Sequence, residues 1–178
     1  MKIIIAGFPG VGKSTAAMVH GTFVKDMESS NYHWIISDDG NKVPNPDWPM
    51  NYYNAIIAEA FNDGCASPLY IAISTHKEVL ETLVRFKIPF IIYTPATKSY
   101  AIGRYEARGN TPEFIEKIDK NWDQYMMDLD SYRMHVIKRD DYLTDFLESA
   151  GTYASLRNII DLLDKGIDPI TGETKADW

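Results

Sequence analysis

Cysteine is almost absent from this sequence, which has one, Cys65, among 178 residues. A single cysteine excludes an internal disulfide and is typical of a protein kept in a reducing compartment, so we expect a cytoplasmic location. Long hydrophobic runs are missing too. No stretch approaches the roughly 20 apolar residues of a membrane-spanning helix, and the run at 3–6 is too short for the core of a signal peptide. We therefore expect no membrane partner.

An excess of positive charge is also lacking. The chain has 18 lysines and arginines against 25 aspartates and glutamates, a formal net charge of −7. Such a chain has no global attraction for a polyanion, so nucleic acid is a secondary hypothesis for its partner, although an acidic protein can still carry a local basic cleft. With 45% hydrophobic and 24% charged residues the composition is that of a globular protein, and residues 1–178 are expected to form one domain.

Short apolar runs alternate with longer segments of helical period along the chain. This pattern predicts an α/β fold, in which helices cover both faces of a parallel sheet. The predicted strands are 2–6, 33–37, 69–74, 89–93 and 134–138. The predicted helices are 13–27, one beginning near 51, 77–86, 99–108, 112–129, 142–149 and 153–163. The tail at 166–178 is expected to be an irregular surface segment.

The longest insertion lies between the fourth and fifth predicted strands, at about 97–130. Its two helical stretches are separated by Gly109-Asn110, so we expect a helical lid with a hinge at this break. In the second stretch apolar residues recur at helical spacing from Phe114 to Leu129. We interpret that stripe as core.

The strongest motif is Gly-Phe-Pro-Gly-Val-Gly-Lys-Ser at 7–14, which fits the phosphate-binding pattern G-x-x-x-x-G-K-[ST]. Its glycines let backbone N–H groups converge on phosphates, and the following helix adds the positive end of its dipole. Lys13 is placed to reach the β and γ phosphates, and the Ser14 hydroxyl is placed to ligate Mg²⁺. The residues expected at the nucleotide are Gly7, Pro9, Gly10, Val11, Gly12, Lys13, Ser14, Thr15 and, more weakly, Arg139.

Two acids, Asp38 and Asp39, follow the second predicted strand. Open α/β folds bind ligands at the carboxyl edge of the sheet, so either acid is a candidate for the acceptor's proton or the metal, with Asp38 preferred as a ligand of Mg²⁺. The alternative is that the Asp-Asp-Gly-Asn sequence is simply a polar turn.

Arg104 and Arg108 lie four residues apart in the predicted lid, on one helical face. Guanidinium groups there would bind phosphate oxygens and stabilise the charge of the transition state, so these two join Lys13 and the two acids as catalytic candidates. The alternative is a solvated, mixed-charge helix face.

No acid follows the third predicted strand, which ends in Ser74-Thr75-His76. This argues against a switch or motor NTPase and leaves the metal to Ser14 and the acids of the second strand. His76 is either an acceptor contact or a local hydrogen-bonding residue. The aromatic residues Trp48, Tyr52 and Tyr53 are either stacking surfaces for a base or packing anchors.

The motif at 7–14, the acid pair and the Arg104-x-x-x-Arg108-Gly-Asn segment together resemble small P-loop nucleotide kinases of the adenylate-kinase-like type. The chain is also similar to a group of small kinases found in bacteriophage genomes. The residues that carry this second resemblance are 7–14, 45–46, 74–78, 104–110 and 121–122. The resemblance implies a three-layer P-loop fold with sheet order 2-3-1-4-5, and ATP and Mg²⁺ as cofactors.

The expected function is ATP-dependent phosphoryl transfer to a small nucleotide acceptor, of the (deoxy)nucleoside monophosphate kinase type. One alternative keeps the kinase but places the acceptor in DNA, at an end or a modified base such as a hydroxymethylpyrimidine. Another is a nucleotide-binding regulatory module without turnover, which the missing acid after the third strand favours.

Overall fold

The computed structural model describes residues 1–62, 64, 68–132, 134–149 and 151–174. The strands are β1 (Ile3–Gly7), β2 (Val24–Asp26), β3 (Trp34–Ile36), β4 (Lys42–Pro44), β5 (Tyr70–Ser74), β6 (Ile91–Thr94) and β7 (His135–Lys138). The helices are α1 (Lys13–Val19), α2 (Ser30–His33), α3 (Met50–Ala60), α4 (Lys77–Arg85), α5 (Lys98–Ala107), α6 (Pro112–Asp130), α7 (Leu143–Glu148) and α8 (Thr152–Asp164). Cys65 and the end of the predicted tail, 175–178, lie outside the described residues.

Five strands form one parallel sheet in the order β2-β5-β1-β6-β7. Numbered along the chain within this sheet, the order is 2-3-1-4-5. All five residues of the central strand β1 are buried, as expected for a parallel strand covered on both faces. The predicted fold class, an α/β P-loop fold with a five-stranded parallel sheet, is confirmed.

The second strand of this sheet is not the predicted one. It is β2, which pairs with β5 from Val24 opposite Tyr70 to Asp26 opposite Ala72. The helix predicted over 13–27 ends at Val19, two residues before Gly21, and its second half is therefore wrong. A three-residue strand with an exposed middle residue has no apolar run that periodicity can detect.

The strand predicted at 33–37 exists as β3 but lies outside the main sheet. It forms an antiparallel hairpin with β4, with Ile36 opposite Lys42. Asp38 and Asp39 lie in the exposed turn of this hairpin, where Gly40 has a φ of 81°. The expectation that these acids end the second strand of the parallel sheet is therefore wrong, because turn chemistry explains their presence here.

Two groups of helices cover the sheet. Helices α1, α7 and α8 pack together and α8 reaches β1, whereas α3 packs against α4 and β5. Because crossovers between parallel strands are right-handed as a rule, and the chain moves outward from β1 to β2 and then returns toward β6, these two groups are expected on opposite faces. No helix within the described residues is long and apolar enough to cross a membrane.

The predicted insertion contains α5 and α6. Thr97 caps α5 by accepting a hydrogen bond from the backbone N–H of Tyr100, and Thr111 caps α6 in the same way. Pro112 occupies the first turn of α6, where its missing N–H costs nothing. Gly109, with a φ of 71°, lies in the connection. That this pair of helices closes as a lid stays a prediction.

Glu59 of α3 forms ion pairs with Lys2, just before β1, and with Lys25 in β2. Its carboxylate accepts from the ammonium of Lys2 and from that of Lys25, each at 2.5 Å, and the Lys2 and Glu59 side chains are only 8% and 13% exposed. The bond from Lys2, followed by that from Lys25, lowers the pKa of Glu59. The two contacts therefore stabilise the edge at which β2 lies.

We predict that Glu59→Gln lowers the free energy of unfolding by about 1–2 kcal/mol at pH 7. Because folding depresses this carboxyl's pKa, its contribution is present above the unfolded pKa of about 4.3 and is lost as the pH falls through the folded value. The difference between wild type and variant should therefore shrink in acid. Urea unfolding across pH measures it. The matched control is Glu81→Gln, which removes an exposed contact of 3.8 Å to Lys77 and should change stability by less than about 0.5 kcal/mol. Equal losses for both variants would contradict the prediction.

Candidate functional site

The phosphate loop joins the end of β1 to the start of α1, as its motif predicts. Gly10 and Gly12 have φ angles of 81° and 91°, in the left-handed region that favours glycine. An aromatic ring also lies close to each of these glycines. A Cβ on Gly10 would lie 2.5 Å from the ring of Tyr105, and one on Gly12 would lie 2.9 Å from the ring of Tyr142. The loop therefore requires glycine at both positions.

Neighbouring elements hold the loop through its backbone. The hydroxyl of Tyr105 in α5 donates to the carbonyl of Pro9 at 2.7 Å, and the N–H of Leu143 in α7 donates to the carbonyl of Val11 at 2.9 Å. The N–H groups in the first turn of α1, which includes Ser14 and Thr15, have no acceptors inside the helix. The loop is thus fixed from outside, with a helix N-terminus available to an anion.

Lys13 bends back toward the start of the motif. Its ammonium donates to the carbonyl of Gly7 at 2.9 Å. Burial lowers the pKa of Lys13, the carboxylates of Asp26 and Glu28 oppose that shift, and the positive charge of Arg108 adds to it. These four side chains therefore share one electrostatic environment at the loop.

Asp26 is the candidate site residue that sequence reasoning missed. It ends β2 at the carboxyl edge of the sheet, and one of its oxygens accepts from the Ser14 hydroxyl at 2.6 Å. The other oxygen, Oδ1, is buried and has no hydrogen-bond partner among the described residues. The acid pair that follows the second strand of the sheet is therefore Asp26 and Glu28. Gly21, which ends α1 early, was the one local signal for β2.

The predicted acids lie elsewhere. The Asp39 carboxylate accepts from the hydroxyl of Ser37 and from the side-chain amide of Asn41, the latter at 2.7 Å, and these bonds lower its pKa. Asp38 is exposed in the same turn. No hydrogen bond or ion pair within the described ranges connects either acid to the phosphate loop, so their catalytic role stays a prediction without a structural contact.

The two predicted arginines both lie near the loop. The guanidinium of Arg104 stacks on the Tyr142 ring, 3.4 Å from its centre, and a Cβ on Gly12 would lie 3.8 Å from one of its terminal nitrogens. Arg108 is close enough to Lys13 to lower the lysine's pKa. The structure therefore brings Arg104 of α5 to the phosphate loop and places Arg108, the residue after α5, within electrostatic range of Lys13.

Arg139, the weaker nucleotide candidate, is bound by a neighbouring acid. Its Nε and one terminal nitrogen donate to Asp141 at 2.8 and 2.6 Å, and the hydroxyl of Tyr93 donates to the same carboxylate. Asp140 accepts from the backbone at the start of α5. These contacts fasten the segment after β7, and a nucleotide contact for Arg139 stays a prediction.

A cavity of about 450 Å³ lies between the phosphate loop, the end of β5 and α6. From the loop and β1 it is lined by Gly7, Phe8, Pro9 and Lys13, from the end of β5 and the start of α4 by Ser74, Thr75, His76 and Lys77, and from α6 and beyond by Phe114, Lys117, Ile118, Tyr125, Asp128, Leu129 and Tyr132. The interpretation of the α6 stripe as core is confirmed, because all its residues lie in the core or pack against it, and four of them also line this cavity.

The aromatic residues before and within α3 act mainly in packing. Tyr52 is fully buried, stacks with Trp48 at 5.5 Å between ring centres and donates to the carbonyl of Met27. Tyr53 stacks on Phe86. His76 lies beside this group, with its Nε2 atom 3.2 Å from the hydroxyl of Ser29, and burial lowers its pKa. The anchor interpretation fits Tyr52 and Tyr53, whereas His76 faces the cavity.

We predict that Gly10→Ala abolishes nucleotide binding, because its Cβ would displace Tyr105 or distort the loop. The control is Gly103→Ala in α5, where a Cβ meets nothing within 4 Å. This second variant should keep nucleotide binding and gain up to about 1 kcal/mol of stability, since glycine is a poor helix former. Calorimetric titration with ATP and thermal unfolding measure both effects. Wild-type affinity in Gly10→Ala would contradict the assignment of the loop.

The described residues contain no cluster of three or more His, Cys, Asp or Glu side chains placed to hold a metal ion. Comparisons with known proteins add little to this geometry. No family model matches the sequence, and no curated protein matches it. Among solved structures, a gluconokinase from Sinorhizobium meliloti 1021 is similar at 15% identity and a TM-score of 0.48, covering 91% of this chain and 94% of that one. Similarity at this level carries no argument about activity.

Proposed function

We propose that this protein is a P-loop kinase that transfers the γ-phosphoryl group of ATP to a small nucleotide acceptor, a nucleoside or deoxynucleoside monophosphate. The observation that carries the proposal is the hydrogen bond between Ser14 and Asp26, next to Lys13 and the cavity. It joins a serine at the start of a helix to an acid at the sheet edge. Phosphoryl transfer needs a phosphate cradle, a metal position and an acceptor site in contact, and these features supply one candidate for each.

The donor site is the phosphate loop. When ATP binds, the N–H groups of the loop and of the first turn of α1 bind its phosphates. The Lys13 ammonium leaves the Gly7 carbonyl and pairs with the β and γ phosphates, which offer full negative charge in place of a neutral oxygen. Ionic contact with phosphate also offsets the burial that lowers the pKa of Lys13.

Ser14 and Asp26 fit a magnesium ion. Mg²⁺ prefers hard oxygen ligands and keeps several waters, so it needs one or two protein oxygens beside a nucleotide and no dedicated cage. The Ser14 hydroxyl and the unpartnered Oδ1 atom of Asp26 are such oxygens. Bound there, Mg²⁺ would neutralise charge on the β and γ oxygens of ATP. Asp38, the metal ligand predicted from sequence, lies in the turn of the β3–β4 hairpin, and we propose Asp26 for this role.

Arg104 and Arg108 would stabilise charge during transfer. Both lie near the phosphate loop, and Arg108 raises the positive potential at Lys13. The buried Nε atom of Arg104 has no partner among the described residues, so this side chain has a donor to offer to a ligand. Because Arg104 lies in α5 and Arg108 directly follows it, a movement of α5 and α6 over the loop would bring them to the phosphates.

The test of this function is an acceptor screen. Purified protein with Mg²⁺ and either ATP or GTP should form ADP or GDP and a new phosphorylated product with at least one nucleoside monophosphate. The same panel includes gluconate, modified and unmodified oligonucleotides, and a reaction without acceptor. Transfer only to an oligonucleotide would favour the DNA alternative. Nucleotide binding without transfer to any acceptor would reject the kinase and favour the regulatory module.

A second prediction separates the two acid pairs. Asp26→Asn should lower the apparent affinity for Mg²⁺ and kcat/KM by about 10–100-fold, because the amide keeps the shape but loses the charge beside the metal. Asp39→Asn, in the exposed hairpin turn, should change kcat/KM by no more than about twofold. Initial rates against Mg²⁺ concentration measure both effects. A larger loss in Asp39→Asn than in Asp26→Asn would return the role to the acids predicted from sequence.

A further inference from the structure

We propose that the ring of the acceptor binds in the 450 Å³ cavity beside the phosphate loop, with helix α6 as its outer wall, and that this cavity selects a planar heteroaromatic ring carrying an anionic group. The inference rests on the proposed function and adds to it the place and the chemistry of the acceptor. From the sequence, the candidate stacking surfaces for a base were Trp48, Tyr52 and Tyr53, before and within α3.

Two cavities compete for this role. The second, of about 410 Å³, is lined by Pro46, Asp47, Trp48, Met50, Asn51 and Asn54. Its walls come from the segment before α3 and from α3 itself, and include no residue of the phosphate loop. The first cavity, called here the acceptor cavity, includes Gly7, Pro9 and Lys13 in its walls. Transfer requires the attacking oxygen to lie about 3–3.5 Å from the phosphorus. Of these two cavities, the acceptor cavity is the one with residues of the phosphate loop in its walls, beside the place where the γ phosphate would lie.

The walls of the acceptor cavity are largely aromatic and aliphatic. Phe8 is one of the lining residues, with its ring centre 6.1 Å from that of Tyr125, and Phe114, Ile118 and Leu129 line the cavity from α6. A polyol acceptor would find polar partners at the end of β5 and at the charged residues of the lining, but each hydroxyl held against the apolar wall would lose water without gaining a partner. A flat ring instead gains stacking and burial on such walls. The lining therefore disfavours sugars and sugar acids and favours a base.

A few polar groups interrupt this apolar lining. Lys117 and Asp128 of α6 both line the cavity, and no ion pair within the described residues joins the exposed Lys117 ammonium to a carboxylate. An unpaired cation beside an apolar wall fits a ligand with a phosphate next to its ring. At the end of β5, His76 borders the cavity with one ring nitrogen near Ser29. Burial lowers the pKa of His76, so near neutral pH it offers the ligand a neutral hydrogen-bonding ring.

The experiment fills each cavity in turn. Leu129→Trp replaces a leucine that lines the acceptor cavity with the larger indole side chain. Asn54→Trp does the same in the second cavity, and Met127→Trp adds the same ring on the exposed side of α6, where Met127 is 66% exposed. We measure KM for the best nucleoside monophosphate of the screen and KM for ATP, after checking that each variant unfolds cooperatively. Leu129→Trp should raise the acceptor KM at least about tenfold and leave the ATP KM within about twofold. The other two variants should leave both constants unchanged.

A pair of charge variants covers the case in which Leu129→Trp does not fold. Lys117→Ala should raise the monophosphate KM by about tenfold, whereas Lys120→Ala, which removes an exposed partner of Glu116 on the same helix, should not. Equilibrium dialysis of labelled nucleoside monophosphates without ATP gives a readout that is independent of turnover.

The outcomes separate the two proposals. If Leu129→Trp and Lys117→Ala both bind nucleoside monophosphates as the wild type does, the proposed site is overturned. A raised acceptor KM in Asn54→Trp also overturns it. In either case the acceptor screen still decides the kinase proposal. If the wild type binds a nucleoside monophosphate without phosphorylating any acceptor, and Leu129→Trp and Lys117→Ala abolish that binding, the site is supported and the kinase proposal is rejected. Failure of the wild type to bind any nucleoside monophosphate overturns the inference outright.

Discussion

The pairing of the short strand β2 with β5 is the constraint on which the site depends. Three residues, of which the middle one is exposed, bury little surface, and their place in the sheet follows from the ladder that connects Val24 with Tyr70 and Asp26 with Ala72. Because β5 also pairs with β1, three neighbouring parallel strands end at one edge, and Gly7 and Asp26 reach that edge on either side of β5. Only this register brings the carboxylate of Asp26 to the hydroxyl of Ser14.

A buried tyrosine reinforces that register. Tyr52 of α3 is fully buried, and its hydroxyl donates to the carbonyl of Met27, just after β2, while the N–H of Ser74 at the end of β5 approaches the same oxygen at 3.4 Å. Burial raises the pKa of Tyr52, so its hydroxyl stays protonated and keeps donating across the physiological range. One side chain thus joins the ends of the two strands. The sequence left Tyr52 open between packing and base stacking, and the structure shows that it packs behind the site and joins the ends of β2 and β5.

The difference between what the sequence predicted and what it missed follows from the range of the interactions. The phosphate loop was predicted correctly because its conformation is set by adjacent residues, with glycines where φ is positive and a helix directly after them. The α5 and α6 bounds were close for the same reason, since their caps at Thr97 and Thr111 are local. Asp26 was missed because its position beside Ser14 depends on pairing with a strand more than 40 residues away. The more apolar β3 segment was predicted as the second strand instead, so Asp38 and Asp39, which follow it, were predicted as the acids at the sheet edge.

Helix α6 shows a different limit of sequence patterns. Its apolar stripe was recognised, but periodicity reports only which side of a helix avoids water, and a cavity meets that condition as well as a packed core does. Trp122 packs against Phe8 at 5.7 Å, while Phe114, Ile118 and Leu129 on the same side border empty volume. Phe114 also meets Tyr105 edge to face at 5.2 Å, and Tyr105 donates to the carbonyl of Pro9. The ring that covers Gly10 therefore contacts the wall of the cavity as well, so any displacement of α6 by a ligand would reach the phosphate loop through Tyr105.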